Sequence, residues 1–149
     1  MFQGADTLSL DAKGRLAVPA RHRPELALNS AGRLVVNYHP HGCLKVYPES
    51  VWQPIADKLS KIATMNPATA AVRRVILGTA SVQEADSTGR LLLPPALRSL
   101  AKLDKQVMLV GMGDHFEIWS EDSWAKQNEL ALAALQDPEA LASFEGIVL

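Results

Sequence analysis

Residues 11–24 read Asp-Ala-Lys-Gly-Arg-Leu-Ala-Val-Pro-Ala-Arg-His-Arg-Pro, and residues 86–99 read Asp-Ser-Thr-Gly-Arg-Leu-Leu-Leu-Pro-Pro-Ala-Leu-Arg-Ser. At a constant offset of 75, six of the fourteen positions are identical: Asp11/Asp86, Gly14/Gly89, Arg15/Arg90, Leu16/Leu91, Pro19/Pro94 and Arg23/Arg98. Unrelated stretches of average composition share about one. The chain is therefore a tandem pair of small units, and the recurring surface element is Asp-x-x-x-Arg. A duplicated motif points to a pseudo-twofold binding module rather than to an enzyme with one catalytic cleft.

Working outward, the local signals repeat as well. Thr7–Leu10 reads as a strand, Asp11-Ala-Lys-Gly as a turn and Arg15–Val18 as the strand that returns. Aspartate suits the first position of a type I turn and glycine the left-handed position that follows, the pattern of a three-residue hairpin loop with a glycine bulge. Pro19 stops the strand, a short helix over about Ala20–Ala27 follows, and residues 29–32 form a loop. Arg33–Tyr38 and Cys43–Tyr47 read as a hairpin around His39-Pro-His-Gly42. The second unit replays this order. It has strands at Ser81–Ala85 and Arg90–Leu93 about the Asp86–Gly89 turn, a short helix over Pro94–Ala101, and strands at Gln106–Val110 and His115–Trp119. Tyr47/Trp119 and Trp52/Trp124 correspond at offset 72, so the first unit carries three extra residues in its middle.

Between the units, Ser50 predicts the cap of a helix running to about Met65, with Val51, Ile55, Leu59 and Ile62 as its apolar stripe and Pro54 in its first turn. Asn66-Pro67 opens another helix that Gly78 ends. Ser120 caps a helix reaching about Leu135. Asp137-Pro138 breaks it, and the last dozen residues read as a weak helix or tail. The fold class is α+β, with repeats over 1–53 and 81–125, a helical connector over 54–80 and an acidic helix or tail over 126–149.

With 48% apolar residues in 149, the chain can pack a core, and no apolar run approaches the roughly 18 residues of a membrane helix. The N-terminus lacks the basic-then-apolar order of a signal peptide, and a single cysteine forms no internal disulfide, which together predict a cytoplasmic protein. Net charge is only −1, but it is unevenly spread. Residues 1–113 hold 14 Lys and Arg against 8 Asp and Glu, whereas residues 114–149 hold 1 against 8. A basic patch beside an acidic tail binds phosphate locally while the whole protein stays near neutral.

The motif has a readable physical logic. The aspartate accepts from turn N–H groups and sits across the loop from Arg15 or Arg90, so the guanidinium is pre-aimed and loses less freedom on meeting a ligand. Its fork matches a phosphate, or O6 and N7 of guanine in the major groove. The alternative is a surface ion pair that only staples the turn. It weighs more on Arg90, because Lys13 of the first loop is replaced by Thr88 in the second. Arg21 and Arg23 follow closely, either as phosphate contacts or as a solvated helix face. His39 and His41 have no acidic or cysteine partner and read as a hairpin tip rather than a metal site. Cys43 reads as a small buried apolar residue, and Trp52, Trp119 and Trp124 as core anchors. No catalytic triad order, phosphate-binding glycine loop or zinc-ligand spacing is present, so no enzyme activity, metal or cofactor is expected.

Those residues bring out a resemblance. The opening Met-Phe-x-Gly, both Asp-x-x-x-Arg loops, the Tyr-Pro before the first long helix, the Met-Asn-Pro stretch, and Val-Met-Leu-Val-Gly with Glu-Ile-Trp in the second half resemble the MraZ family of bacterial transcriptional regulators. The resemblance implies two AbrB-like β-hairpin/helix repeats forming one β-barrel-like core, an intramolecular version of the AbrB dimer. It further implies a ring-shaped homo-oligomer that displays its loops on one face. The ring binds double-stranded DNA at short G-rich direct repeats upstream of the division and cell-wall gene cluster, its own promoter included, in a nucleoid-associated role. It places DNA contact on Arg15 with Asp11 orienting it, and extends to Lys13 and to Arg90 with Asp86. A steric repressor is the expected mechanism, because tethered loops meeting repeated sites gain from high effective concentration. The reading from another class is a ring-forming interaction protein whose arginines are structural.

Overall fold

A computed structural model describes residues 1–148, with every side chain among them except those of Asn29 and Ser30. Leu149, the end of the expected tail, lies outside the described residues. The first repeat contributes β1 (Ala5–Ser9), β2 (Arg15–Ala17), a single 3-10 turn at Ala20–His22, α1 (Arg23–Ser30), β3 (Arg33–His39) and β4 (Cys43–Pro48). Two connecting helices follow, α2 (Glu49–Ser60) and α3 (Pro67–Gly78). The second repeat contributes β5 (Ser81–Glu84), β6 (Arg90–Leu92), α4 (Pro95–Leu100), β7 (Gln106–Gly111) and β8 (Phe116–Ser120), and ends in α5 (Glu121–Ala134) and α6 (Pro138–Ala142).

The repeats are interleaved rather than side by side. Six strands form an antiparallel sheet in the order β1-β7-β8-β4-β3-β5, and β2 pairs with β6 in a separate two-stranded ribbon. The first strand of each repeat thus lies on the other repeat's hairpin: Leu8 opposes Val107, and Val82 opposes Val35. Neither repeat completes its own sheet.

This overturns one sequence expectation. The turn itself forms as read: Asp11 N–H donates to the Arg15 carbonyl and Gly14 N–H to the Asp11 carbonyl, both at 3.0 Å, with Gly14 at φ 82°. But β2 does not return along β1. It leaves to pair with β6, Arg15 opposite Leu92, Leu16 opposite Leu91 and Ala17 opposite Arg90. Burial supplies the reason. Leu16, Val18, Leu91 and Leu93 are at most 3% exposed, and crossing the pseudo-twofold axis seats all four in one common core. Pro19 and Pro94 keep both strands short.

The core lies between the ribbon and one face of the sheet. Alternate residues Leu34 and Val36, Leu44 and Val46, Val107 and Leu109, Phe116 and Ile118 point into it, as the period of two in a strand requires. The hydrogen-bonded ladder leaves β1 and β5 as sheet edges, so the barrel-like enclosure comes from packing. On the other face, α2 and α3 cover Val35 and Tyr47 through Trp52, and Trp124 of α5 covers Cys43, Val110 and Trp119. The three-residue length difference divides. The offset falls from 75 at Arg23/Arg98 to 73 at Leu34/Val107 and Val36/Leu109, then to 72 at Leu44/Phe116 and Val46/Ile118. Two residues are extra around α1, and one in the β3–β4 turn.

The caps set by local chemistry form as expected. Asn66 Oδ1 accepts from the N–H groups of Ala68 (2.8 Å) and Thr69 (3.3 Å), and Ser120 Oγ from Ser123 N–H (3.0 Å). The expectation for α2 needs correcting. Pro48 holds its cap position, Ser50 lies inside the first turn, and Pro54 falls within the helix. The helix ends at Ser60 rather than Met65, because Lys61 N–H tightens onto the Lys58 carbonyl (3.2 Å) and Arg73 Nη1 takes the Ile62 carbonyl (2.9 Å).

Candidate nucleic-acid interface

Each Asp-x-x-x-Arg loop is a small cage around one carboxylate. Asp11 Oδ1 accepts from the N–H of Lys13 (2.9 Å) and Arg15 (2.8 Å), and Oδ2 accepts from Arg15 Nε at 2.6 Å. Asp86 does the same with Thr88 N–H (3.0 Å), Arg90 N–H (2.9 Å) and Arg90 Nε (2.8 Å). It gains one more bond, from Thr88 Oγ1 at 2.8 Å. All these donors favour the charged form, and the backbone N–H of the loop arginine contributes most in each. Both carboxyls are therefore held below the usual aspartate range.

Because the ion pair uses Nε, both terminal nitrogens of Arg15 and of Arg90 are without a partner among the described residues. The side chains are 28% and 39% exposed, so each fork is oriented by its own loop and still open to solvent. The ribbon sets where the forks stand. Leu16 and Leu91 point inward, so Arg15 and Arg90 share the outer face. Arg15 opposes Leu92, two residues from Arg90, which puts the two arginines on a diagonal with backbones about 7–8 Å apart.

Of the other basic residues of the first motif, Lys13 alone belongs to the first loop, and Arg21 and Arg23 turn elsewhere. Lys13 stands exposed at its tip. Arg21 donates two hydrogen bonds to Asp6 of β1, Nη1 to Oδ1 at 3.0 Å and Nη2 to Oδ2, and that carboxylate raises its pKa. Arg23 Nε donates to the Val18 carbonyl (3.0 Å), and its guanidinium lies over Gly89 of the second loop. The residue that reaches the first loop is Arg98, whose guanidinium lies over Gly14. The motif alone does not single it out. The Arg23/Arg98 identity was the available signal, but matching positions do not reveal which loop each arginine serves.

The remaining chemically suggestive groups are occupied otherwise. His39 Nδ1 accepts from His41 N–H at 3.1 Å, and burial takes the His39 imidazole down to about 4. Among the described residues no group of three or more His, Cys, Asp or Glu is arranged to hold a metal. Cys43 is buried, and that burial pushes its thiol up to about 12, far from a working nucleophile. No helix among the described residues is long and apolar enough to cross a membrane.

A family model described as "MraZ protein, putative antitoxin-like" matches this chain twice, over residues 1–75 and 76–142. The chain is 55% identical to the transcriptional regulator MraZ of Dechloromonas aromatica (strain RCB), with 91% of each chain covered. It is 50% identical to that of Azoarcus sp. (strain BH72) over the whole of both chains. It is 46% identical to that of Pseudomonas syringae pv. syringae (strain B728a), over 95% of this chain and 94% of the other. The class so defined is a transcription regulator built from an interleaved tandem β-repeat. The chain belongs to the MraZ family.

Proposed function

We propose that this chain is a sequence-specific DNA-binding regulator, a repressor of the division and cell-wall gene cluster that includes its own promoter. One observation carries the reading: two solvent-open guanidinium forks, each aimed by an aspartate, stand on the same face of a two-stranded ribbon. A two-stranded ribbon fits the major groove, and a bidentate arginine matches guanine O6 and N7. Arg15 and Arg90 read the G-rich repeats, with Asp11 and Asp86 orienting them. Lys13 adds charge to the first loop only, Arg23 brings further positive charge beside the ribbon, and Arg21 meets DNA phosphate only by exchanging its Asp6 partner for it.

Copies of the chain form a ring whose loops meet successive direct repeats, so modest affinity per copy is multiplied by tethering. Covering the promoter in this way excludes polymerase. The protein works in the cytoplasm at the nucleoid, without cofactor or catalysis. A titration on repeat and scrambled duplexes over a range of salt tests the reading. Binding should prefer the repeat and weaken with salt by a slope of about 0.9 per phosphate neutralised.

A second reading, a ring-forming interaction module without specific DNA binding, is favoured by one feature. Leu130, Leu132, Leu135, Phe144 and Ile147 stand 53–69% exposed on α5 and the segment after it. Salt-insensitive self-association with no duplex preference would move the assignment there.

A further inference from the structure

Arg23 and Arg98 hold the same place in the two repeats and make the same contacts. Each Nε donates to the residue after its own ribbon strand, Arg23 to the Val18 carbonyl and Arg98 to the Leu93 carbonyl, both at 3.0 Å. The N–H of that same residue then crosses the axis to the other repeat's turn glycine. Val18 N–H donates to the Gly89 carbonyl at 2.9 Å, and Leu93 N–H to the Gly14 carbonyl at 3.0 Å. The guanidinium continues in the same direction. A Cβ on Gly14 would lie 2.6 Å from Arg98 Cζ, and one on Gly89 would lie 2.4 Å from Arg23 Nε. The turn glycines therefore supply a left-handed φ and also leave room for the opposite repeat's arginine.

Within each loop the aspartate–arginine pair is the side-chain hold on the guanidinium, and being exposed it is weakened by water. The cross-axis contacts add a second hold from a different part of the chain. We propose that Arg98 is the positioning residue of the first Asp-x-x-x-Arg loop and Arg23 that of the second, so that Arg15 and Arg90 are presented to DNA as one braced pair. The functional half of this rests on the DNA-binding reading above, whereas the bracing does not. Sequence proximity assigns the two the other way round, since Arg23 follows the first loop and Arg98 the second.

The test uses the full chain as wild type, Arg98→Ala, Arg98→Lys and Arg23→Ala, with two readouts. Backbone amide exchange by NMR reports on Gly14 and Arg15 of one loop and Gly89 and Arg90 of the other. Arg98→Ala should speed exchange at Gly14 and Arg15 about tenfold and leave Gly89 and Arg90 unchanged, with Arg23→Ala giving the mirror pattern. Faster exchange in the loop of the same repeat, or in neither loop, overturns the brace. Duplex titration across salt supplies the second readout. Arg98→Ala should cut the preference for a G-rich repeat over a scrambled duplex about tenfold at an unchanged salt slope. Arg98→Lys, which keeps the charge but loses the Nε donor, should behave like Arg98→Ala. Equal loss on both duplexes, with the slope lowered by about one and rescue by Arg98→Lys, would make Arg98 a phosphate contact and overturn its positioning role. If the wild type prefers neither duplex, the DNA reading fails, and the exchange pattern still decides the brace.

Discussion

Lys45 and Glu117 occupy equivalent positions in the two repeats and face each other in register across the pseudo-twofold axis, with Nζ and Oε2 3.8 Å apart and side chains 16% and 12% exposed. In a symmetric dimer of one repeat, this position would meet its own copy and set like charges together. Fusion into one chain lets the two halves differ there. Trp119 Nε1 also donates to Glu117 Oε1 at 3.1 Å, which ties the pair to the packing under α5. Glu117→Lys should destabilise the fold by about 1–3 kcal/mol, since it puts two poorly solvated cations face to face and removes the indole's acceptor. Adding Lys45→Glu should restore part of that loss, though not the Trp119 contact. Chemical denaturation of the two variants checks this, and a double variant no more stable than the single would show that the pair is not coupled.

Gly14→Ala and Gly89→Ala each combine a left-handed φ, 82° and 76°, with an arginine inside van der Waals distance. Gly42 has φ 99° with nothing within 4 Å of an added Cβ, so Gly42→Ala isolates the backbone cost, about 1–2 kcal/mol. The loop variants should lose more than Gly42→Ala in thermal unfolding, and the excess should shrink when Arg98→Ala accompanies Gly14→Ala.

His22 is buried against Phe2 and Phe116, with ring centroids 5.7 and 4.9 Å away, where the other repeat has Leu97. Burial lowers its pKa below 6.5, Arg21 and the N-terminal ammonium push the same way, and Asp6 and Glu25 oppose them. With the folded pKa depressed, the unfolded chain binds the extra proton. The contribution to stability is thus present above about pH 6.5 and is lost as pH falls through the lower folded value. His22→Leu should flatten the stability profile in that acidic window and leave the fold intact. An unchanged pH slope in the variant would assign the dependence to other groups.

How far the sequence reaches can be seen element by element. The repeat at offset 75, the caps at Asn66 and Ser120 and the Asp11–Gly14 turn were legible because each depends on a few neighbouring residues. The partner of β2 was not, because a turn fixes its own hydrogen bonds but not which edge the departing strand finds. That choice was made by the shared burial of Leu16, Val18, Leu91 and Leu93. The same limit hid the site's cross-axis half. Asp11 with Arg15 could be read as a unit four residues apart, whereas Arg98 reaches Gly14 only once the repeats have interleaved. The end of α2 is not legible locally, because the chain beyond it is held by Arg73, twelve residues past Lys61.

The most direct measurement is the binding of wild type, Arg15→Ala and Arg90→Ala to DNA from immediately upstream of the protein's own gene, at fixed salt, beside a scrambled-repeat control. Arg15→Ala should lose the repeat-specific shift, by about tenfold to a hundredfold in affinity, with folding intact. Arg90→Ala should lose less, because Thr88 stands where the first loop has Lys13. A wild-type shift indifferent both to Arg15→Ala and to scrambling would contradict sequence reading by these loops and leave Asp11 and Arg15 as a turn staple.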